Sequence, residues 1–255
     1  YLTDIAPLDA AGVLMIGHAH MGGFGSIEGV AAAKAEIIAG LLPEGTAILN
    51  ADDARCAAMA ELAPARVLTF SAQGEPADLQ AENVVLDEAA CAAFDLHLPG
   101  LAVPRRVQLA VAGAHNVANA LAAAGLALAA GLEPELIAER LGSVSIESPH
   151  RMDVSELSGD LLLIDDSYNA NIDSMTAALA ALPALAGSRR RVVVVSEMLE
   201  LGESSAADHA RTGELAAQAG AAMLIGIGST QEALDAARAR GVEVVGFEDS
   251  ATAIS

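Results

Sequence analysis

The sequence has no tryptophan and very few aromatic residues of any kind. Among its 255 residues, Phe, Trp and Tyr together make up 2%. Proteins that bind single-stranded nucleic acid stack bases on aromatic side chains, and tight protein interfaces are commonly anchored by them. The composition therefore argues against a base-stacking platform and against an aromatic-anchored protein interface.

Positive charge is also scarce. The chain has 13 Lys and Arg residues against 34 Asp and Glu residues, which gives a formal net charge of −21. Such a charge disfavours non-specific binding to nucleic acid or to anionic lipid. An anionic ligand would therefore need local help from a helix N-terminus, a metal ion or single arginines.

Cysteines and long apolar runs are lacking as well. Cys56 and Cys91 do not have metal-ligand spacing and no signal peptide precedes them, so we expect small buried hydrophobic groups in a reduced, cytoplasmic protein. Hydrophobic residues make up 53%, but no apolar run reaches the roughly 18 residues that could span a bilayer. We therefore expect a soluble chain, and its length predicts two domains.

Predicted strands and helices alternate in the first half of the chain, which indicates an α/β fold with a parallel sheet and right-handed crossovers. Over 80–111 the pattern changes to three extended stretches, which predict a small antiparallel addition. The predicted strands are 13–16, 46–49 and 66–70, and the predicted helices are 26–41, 53–62, 114–130 and one that ends near Leu141.

The polar stretch 143–153 has the character of a linker, and we place the boundary at Pro149, which gives domains 1–149 and 150–255. Alternation then restarts and predicts a second parallel α/β unit. The sequence stops inside what reads as a further helix, so we expect the natural protein to continue. The predicted strands here are 161–164, 192–195, 223–227 and 242–247, and the predicted helices are 174–182, 206–218 and 231–240.

The most informative stretch is LLLIDDSYNANIDSM at 161–175, which predicts a buried strand, a polar turn and a helix. Asp173 and Ser174 are suitable N-cap residues for that helix. Ligands of open α/β sheets bind at the carboxyl ends of strands, so the polar side chains would face a substrate. The alternative is an ordinary loop of turn formers. The polar residues are Asp166, Ser167, Tyr168, Asn169 and Asn171.

A glycine- and histidine-rich loop follows the first predicted strand. His18 and His20 lie in this loop, and Lys34 lies in the next predicted helix. A strand end, a glycine-rich turn and the following helix are the usual place for a phosphate and its metal ion. The alternative is that all three side chains are ordinary surface groups.

Two further places have side chains suited to a nucleotide. Asn116 and Asn119 lie one helical turn apart, so both amides share a face and could recognise the edge of a purine; the alternative is helix capping by Asn116. Arg151, in the linker, could reach a phosphate or could pair with Asp153 on the surface. Acidic residues of SEMLELGE, at 196–203, could be ligands or early helix residues favoured by the helix dipole.

These motifs, in this order, resemble the Mur ligases, the ATP-dependent enzymes that form amide bonds in peptidoglycan synthesis. The resemblance covers nearly the whole chain, and DDSYNAN is its most specific block. LMIGHAH and Gly22, near the histidine loop, differ from the commonest family pattern, as do Ile172 and Ser196-Glu197. The motifs are HMGGFGS, AAAKAEI, LNADD, GAHNVANAL, PHRMD, IDDSYNANIDSM and SEMLELGE.

The resemblance implies a partial central ATP-binding domain over 1–149, followed by a Rossmann-like ligase domain over 150–255. It also implies ATP and Mg²⁺ as cofactors. By matched position, His20 is a magnesium ligand, and Lys34 becomes a carbamate that helps to hold metal. The remaining implied roles are adenine contacts for Asn116 and Asn119, ribose for Asp166, the γ-phosphate for Arg151, and the incoming dipeptide for Tyr168, Asn169 and Asn171.

DDSYNAN and MLELGE further imply a reaction that joins D-alanyl-D-alanine to UDP-N-acetylmuramoyl-tripeptide through an acyl phosphate. That activity serves cell wall biogenesis, and hence cell shape and cell division, in a cytoplasmic monomer. The chain contains no G-x-x-x-x-G-K-[ST] loop, so we expect it to be inactive by itself. The alternatives are another Mur-type or folylpolyglutamate-type ligase, or a non-catalytic fragment.

Overall fold

The computed structural model describes residues 2–17, 25–64, 66–144 and 149–254. These residues form two separate units. The described part of the first is 2–17 and 26–144, and that of the second is Gly25 and 149–254. Within the described ranges, no helix is both long enough and apolar enough to cross a membrane.

The first unit contains a six-stranded sheet in the order β1-β2-β3-β4-β5-β6. The pairs from β1 to β4 are parallel, whereas β5 pairs antiparallel with both β4 and β6, which confirms the predicted antiparallel addition. The strands are β1 (Leu8–Val13), β2 (Leu41–Asn50), β3 (Arg66–Ser71), β4 (Leu79–Leu86), β5 (Cys91–His97) and β6 (Arg105–Ala112).

The core of this unit lies where one alanine-rich helix, Asn116–Ala129, packs on the sheet. Phe70 and Phe94 are fully buried there, together with Ile48 from the sheet and Leu121 from the helix. The helices are α1 (Leu2–Ile5), α2 (Ile27–Ala39), α3 (Ala54–Ala58), α4 (Asn116–Ala129) and α5 (Pro134–Leu141), and a 3₁₀ turn, Met59–Leu62, follows α3.

The prediction for the first strand was wrong. The apolar run 13–16 suggested a strand, but β1 ends at Val13, where it pairs with Leu49. The next carbonyl groups, of Leu14 and Met15, accept hydrogen bonds from side chains instead of from a neighbouring strand. Hydrophobicity alone cannot reveal that exchange of partners.

The second unit contains two small sheets rather than the single four-stranded parallel sheet that was predicted. One is parallel, in the order β11-β10-β9, and the other is the antiparallel pair β7-β8. The strands are β7 (Asp153–Leu157), β8 (Leu161–Asp165), β9 (Val192–Ser196), β10 (Met223–Ile227) and β11 (Glu243–Phe247).

β8 was predicted as a strand, and the hairpin explains why it pairs with β7 instead of joining the parallel sheet. Gly159 and Asp160 have φ of 80° and 59°, the left-handed backbone that a tight hairpin needs, and Leu157 pairs with Leu161 across it. Leu161 and Leu163 are 58% and 48% exposed, so the expectation of a buried strand was also wrong. The Ser-Gly-Asp turn pairs β8 with β7, and this pairing cannot be inferred from the apolar run.

The helices of the second unit pack against β9–β11 and bury the inward valines Val193 and Val195. They are α6 (Ile172–Ala186), α7 (Ser205–Gln218), α8 (Gln231–Arg238) and α9 (Ser250–Ile254), and a 3₁₀ turn, Gly202–Ser204, precedes α7.

Two helical glycines give a matched test of close packing. A Cβ on Gly213 would run into the backbone carbonyl of Ala233 in α8, whereas a Cβ on Gly125 would lie 2.8 Å from the Ile48 methyl group. We expect Gly213→Ala to lower the free energy of unfolding by about 2–4 kcal/mol, because the Ala233 carbonyl can give way only if α7 and α8 move apart. Gly125→Ala should cost less, about 1–2 kcal/mol, because its overlap is with a single buried side chain and the better helix propensity of alanine offsets part of it.

Urea denaturation of both variants checks this prediction. Equal stabilities for the two alanine variants would show that α7 and α8 separate at little cost, contrary to the packing seen at Gly213.

Candidate functional site

Three side chains hold the backbone that leaves β1 and leads towards the histidine loop. Asn50 donates from Nδ2 to the carbonyl of Leu14 at 2.8 Å, and Lys34 donates from Nζ to the carbonyl of Met15 at 2.8 Å. The next amide, of Ile16, donates to Oδ2 of Asp53 at 2.7 Å. Side chains from β2, α2 and the turn before α3 therefore fix three consecutive residues.

Lys34 is the only lysine in the sequence. Its side chain is exposed and lies beside an open depression of about 440 Å³ formed with the end of β1. A carbamate on Nζ would keep one N–H, so the bond to the Met15 carbonyl is compatible with that modification. The geometry allows the modification without disturbing the anchor.

Among residues 2–17, 25–64, 66–144 and 149–254, no three His, Cys, Asp or Glu side chains lie close enough to hold an ion. His20, the predicted magnesium ligand, lies outside the described residues, as does His18.

The LNADD motif is a scaffold that reasoning from the sequence missed. Asp53 caps α3, because its Oδ1 accepts the amides of Arg55 and Cys56 while Oδ2 holds Ile16. Asp52 accepts the hydroxyl of Ser71 and the amide of Ala72, which joins β2 to β3. A strand followed by Asn-Ala-Asp-Asp was the available signal, since such residues end strands and begin helices.

Asn116 and Asn119 lie on one face of α4, as predicted. Asn119 donates from Nδ2 to Oδ1 of Asn116 at 2.9 Å, and Asn116 donates to the carbonyl of Ala112 at 2.8 Å. Asn116 therefore does not cap the helix; His115 occupies that position without a side-chain cap bond. The amide pair is anchored to the end of β6, and the Asn119 side chain faces outwards.

The segment before β7 is fastened to the turn after β8. The amide of Tyr168 donates to the carbonyl of His150 at 3.0 Å, and the amide of Met152 donates to Oδ1 of Asp166 at 2.9 Å. Arg151 lies between these attachments with its guanidinium 3.9 Å from the centre of the Tyr168 ring. The structure thus brings together Arg151 and Asp166, the residues predicted to bind phosphate and ribose. Among the described residues, Arg151 does not form the alternative ion pair with Asp153.

Asp165 is a second residue that the sequence analysis missed. Its carboxylate binds Nδ1 of His150 at 2.7 Å and accepts the hydroxyl and the amide of Ser167. These bonds, chiefly that to His150, lower the pKa of Asp165 from an ordinary 3.8 to about 2. The carboxylate therefore stays ionised throughout the neutral range.

The lowered pKa of Asp165 predicts an acid-dependent loss of stability. Its stabilising contribution is present above the unfolded pKa and is lost as the pH falls from about 4 to about 2. We expect Asp165→Asn to lose less stability than the native chain over this window, because it cannot be protonated there. Urea denaturation at a series of acidic pH values measures the difference, and parallel curves would contradict it.

The remaining residues of DDSYNAN differ in their roles. Tyr168 is 61% exposed, and Asn169 accepts the amide of Ala170 with its own Oδ1. Asn171 is the N-cap of α6 and forms a capping box with Ser174, so the predicted cap at Asp173-Ser174 was wrong. An extended backbone at Asn171 puts its Oδ1 within reach of the Ser174 amide.

The SEMLELGE loop is held by a histidine that the sequence analysis did not single out. His209 of α7 is 3% exposed, and its Nε2 accepts the amide of Met198 at 3.0 Å. Its Nδ1 lies 2.8 Å from the carbonyl of Ser205, so Nδ1 bears the hydrogen. Met198 and Leu201 are buried, which makes this loop an anchored element rather than a row of ligands.

We expect His209→Phe to lower the free energy of unfolding by about 2–3 kcal/mol, because the buried Met198 amide loses its side-chain acceptor. Thr212→Val is the matched control: it removes a buried hydroxyl that bonds within α7 and leaves no backbone amide unpaired. Urea denaturation and hydrogen exchange of the Met198 amide report the effect. Unchanged exchange at Met198 would contradict the anchoring role.

Two family models match the chain. The model described as "Mur ligase middle domain" matches residues 1–127, and that described as "Mur ligase, glutamate ligase domain" matches residues 150–255. Together they account for most of the sequence and agree with the resemblance that the motifs suggested.

Individual relatives agree with these models. The UDP-N-acetylmuramoyl-tripeptide--D-alanyl-D-alanine ligase of Mycobacterium tuberculosis (strain ATCC 25618 / H37Rv) is 42% identical over 232 residues, which cover 89% of this chain and 45% of the relative. The enzyme of that name from Escherichia coli (strain K12) is 39% identical over 230 residues, covering 90% and 50%. The chain spans about half the length of the curated relatives it matches.

A solved structure gives the same result for the fold. A crystal structure of MurF from Acinetobacter baumannii superposes with a TM-score of 0.85 at 34% identity, and the match covers 99% of this chain and 53% of that one. The predicted α/β class, with a parallel-rich sheet followed by a second α/β unit, is thereby confirmed.

Proposed function

Because the chain belongs to the Mur ligase family, we propose that it is the middle and C-terminal part of an ATP-dependent ligase of peptidoglycan precursor synthesis. The proposed reaction joins D-alanyl-D-alanine to UDP-N-acetylmuramoyl-tripeptide. The names of the relatives support this choice of substrates. The proposed parts are 1–149 for the ATP-binding domain and 150–255 for the ligase domain.

The observation that carries the proposal is the placement of Arg151. Its guanidinium is exposed and lies on the Tyr168 ring, and no carboxylate of the described residues forms an ion pair with it. In a chain with 34 acidic residues, a guanidinium outside any ion pair is suited to bind an anion from solution. A transferring phosphoryl group is the anion that the family's chemistry provides.

In the proposed reaction, ATP supplies the phosphoryl group that activates the terminal carboxylate of the tripeptide as an acyl phosphate. Arg151 donates N–H groups to the phosphoryl oxygens and neutralises charge that develops on them. The amine of D-alanyl-D-alanine then attacks the acyl carbon, and phosphate leaves as the amide forms. Positioning and charge neutralisation are what this chain's residues contribute.

The remaining assignments are part of the same proposal. Asp166 would accept the ribose hydroxyls, and the anchored pair Asn116 and Asn119 would present amide groups to adenine. Tyr168, Asn169 and Asn171 would line the dipeptide side, where the capping role of Asn171 fixes its orientation. His20 and a carbamate on Lys34 are the proposed Mg²⁺ ligands. Free Cys56 and Cys91 support a cytoplasmic setting.

The test is an assay of the full-length protein that contains this chain. It is incubated with ATP, Mg²⁺, UDP-N-acetylmuramoyl-tripeptide and D-alanyl-D-alanine, and both phosphate release and the mass of the nucleotide-linked product are measured. We expect one phosphate per amide formed, and no ligated product when the dipeptide is omitted. Tripeptides ending in lysine or diaminopimelate are compared to define the third residue.

A related ligase activity is the second candidate, and the same assay separates it. A Mur ligase with another acceptor would use a single amino acid instead of the dipeptide, and a folylpolyglutamate-type enzyme would add glutamate to a folate. Turnover with either of these alternative sets of substrates, and no product from D-alanyl-D-alanine, would overturn the proposed substrate.

A further inference from the structure

The backbone on both sides of Arg151 is held in an uncommon conformation. His150 has φ of 62° and Met152 has φ of 49°, and both are in the left-handed region that residues other than glycine rarely adopt. Such a backbone persists only where the surrounding contacts determine it. The contacts that fix it are therefore the ones that decide where the guanidinium lies.

One of these contacts is a side-chain pair outside the residues assigned to the proposed reaction. Nδ1 of His150 lies 2.7 Å from Oδ2 of Asp165. The other oxygen of Asp165 accepts both the hydroxyl and the amide of Ser167, at 2.7 and 3.0 Å. Asp165 is thus a fixed carboxylate that ends β8 and receives the imidazole from the segment before β7.

The consequence of this pairing reaches the aromatic ring. The amide of Tyr168 donates to the carbonyl of His150, so the residue that bears the imidazole is bonded directly to the residue whose ring supports the guanidinium. A planar guanidinium that stacks on an aromatic face keeps its N–H edge available for an anion. The Arg151 side chain is preorganised by contacts that it does not make itself.

We propose that His150 and Asp165 are a positioning pair that holds Arg151 on the face of Tyr168, ready for the phosphoryl group. This inference rests on the proposed function for the identity of the anion, but not for the placement of Arg151. Neither His150 nor Asp165 needs to touch the nucleotide for this role.

The placement is tested by NMR of arginine side chains in this chain. A proton above an aromatic face is shifted upfield by the ring current, so the Arg151 Hε resonance should be displaced, and Arg151→Lys assigns it by deletion. His150→Asn removes the imidazole but keeps a residue that tolerates positive φ. We expect the upfield shift to be lost in His150→Asn and in Asp165→Asn, as it is in Tyr168→Leu.

Asp160→Asn is the matched control. Asp160 lies on the same hairpin, pairs with Arg189 at 2.9 Å and has φ of 59°, so an exposed ion pair is removed at another left-handed site. The Arg151 resonance should stay unchanged in this variant.

The catalytic consequence is measured in the full-length ligase with ATP, tripeptide substrate and dipeptide. His150→Asn and Asp165→Asn should each lower kcat by about ten- to a hundredfold, with a smaller change in KM for ATP, because orientation rather than binding is lost. The double variant should be no worse than either single variant, since both remove the same pair. Asp160→Asn should keep the native kcat.

The NMR spectra and the kinetic assay distinguish failure of the proposed function from failure of the positioning pair. A native enzyme that ligates nothing would overturn the proposed function, while the spectra would still decide how Arg151 is held. A displaced Arg151 resonance that survives in His150→Asn and Asp165→Asn would overturn the positioning pair. If Asp165→Asn does not fold, His150→Asn, which leaves both Ser167 bonds in place, decides the question.

Discussion

Replacing Arg151 with alanine should lower kcat of the proposed reaction in the full-length protein about a thousandfold, equivalent to ~4 kcal/mol of transition-state stabilisation. The guanidinium stacks on Tyr168 and has no carboxylate partner among the described residues, so it carries an uncompensated positive charge. Such a charge acts most strongly as negative charge develops on the phosphoryl oxygens. The loss should therefore fall on kcat more than on KM for ATP.

The expected effect of replacing Asp166 is smaller. Asp166→Asn keeps an acceptor but loses the carboxylate charge, so we expect a loss of only about one or two decades in kcat/KM for ATP. Because Oδ1 of Asp166 also holds the amide of Met152, its thermal stability is measured alongside. A lower melting temperature with native kinetics would make Asp166 a purely structural residue.

The control for Arg151 is Arg189→Ala. Arg189 is a partly exposed arginine of the same unit whose charge is already compensated by Asp160. Its replacement should leave kcat within about twofold of the native value, as expected for a surface ion pair. Equal effects of the two alanine variants would show that the role of Arg151 is structural and would remove the observation that carries the proposed function.

Replacing Lys34 with alanine should lower the proposed ligase activity of the full-length protein about a hundredfold or more. The proposal makes Lys34 a carbamate, whose oxygens are the donors that Mg²⁺ prefers. Short carboxylic acids such as acetate should restore part of the activity, because the depression of about 440 Å³ beside Lys34 leaves space for them. If no added acid restores activity to Lys34→Ala, the loss would instead be explained by the missing hydrogen bond to the Met15 carbonyl.

The modification can be observed without an activity assay. Lys34 is the only lysine of this chain, so a carbamate resonance formed with ¹³C-labelled bicarbonate can come only from Lys34 or from the terminal amine. Lys34→Ala removes the lysine signal and leaves any terminal one, which makes it the control. The absence of a Lys34 carbamate in the presence of bicarbonate and Mg²⁺ would refute the assignment.

Much of the fold could be predicted from the sequence, because local signals and hydrophobic periodicity agree there. β10 was predicted at its observed bounds, and α2 begins within one residue of its predicted start at 26. The change from parallel to antiparallel pairing over 80–111 was also predicted, since acidic and Pro-Gly turns give short connections.

What the sequence alone determined is the family, the α/β class and the set of polar residues that follow strands, since these depend on residue types at fixed spacings. Tertiary structure decided which partner each residue takes. Arg151 could have paired with Asp153 but lies on Tyr168, and β8 pairs with β7 rather than with β9. Lys34 likewise donates its hydrogen bond to the Met15 carbonyl, a partner that the sequence does not indicate. Partners far apart in the chain compete for each donor, and only the folded backbone sets the distances that settle the competition.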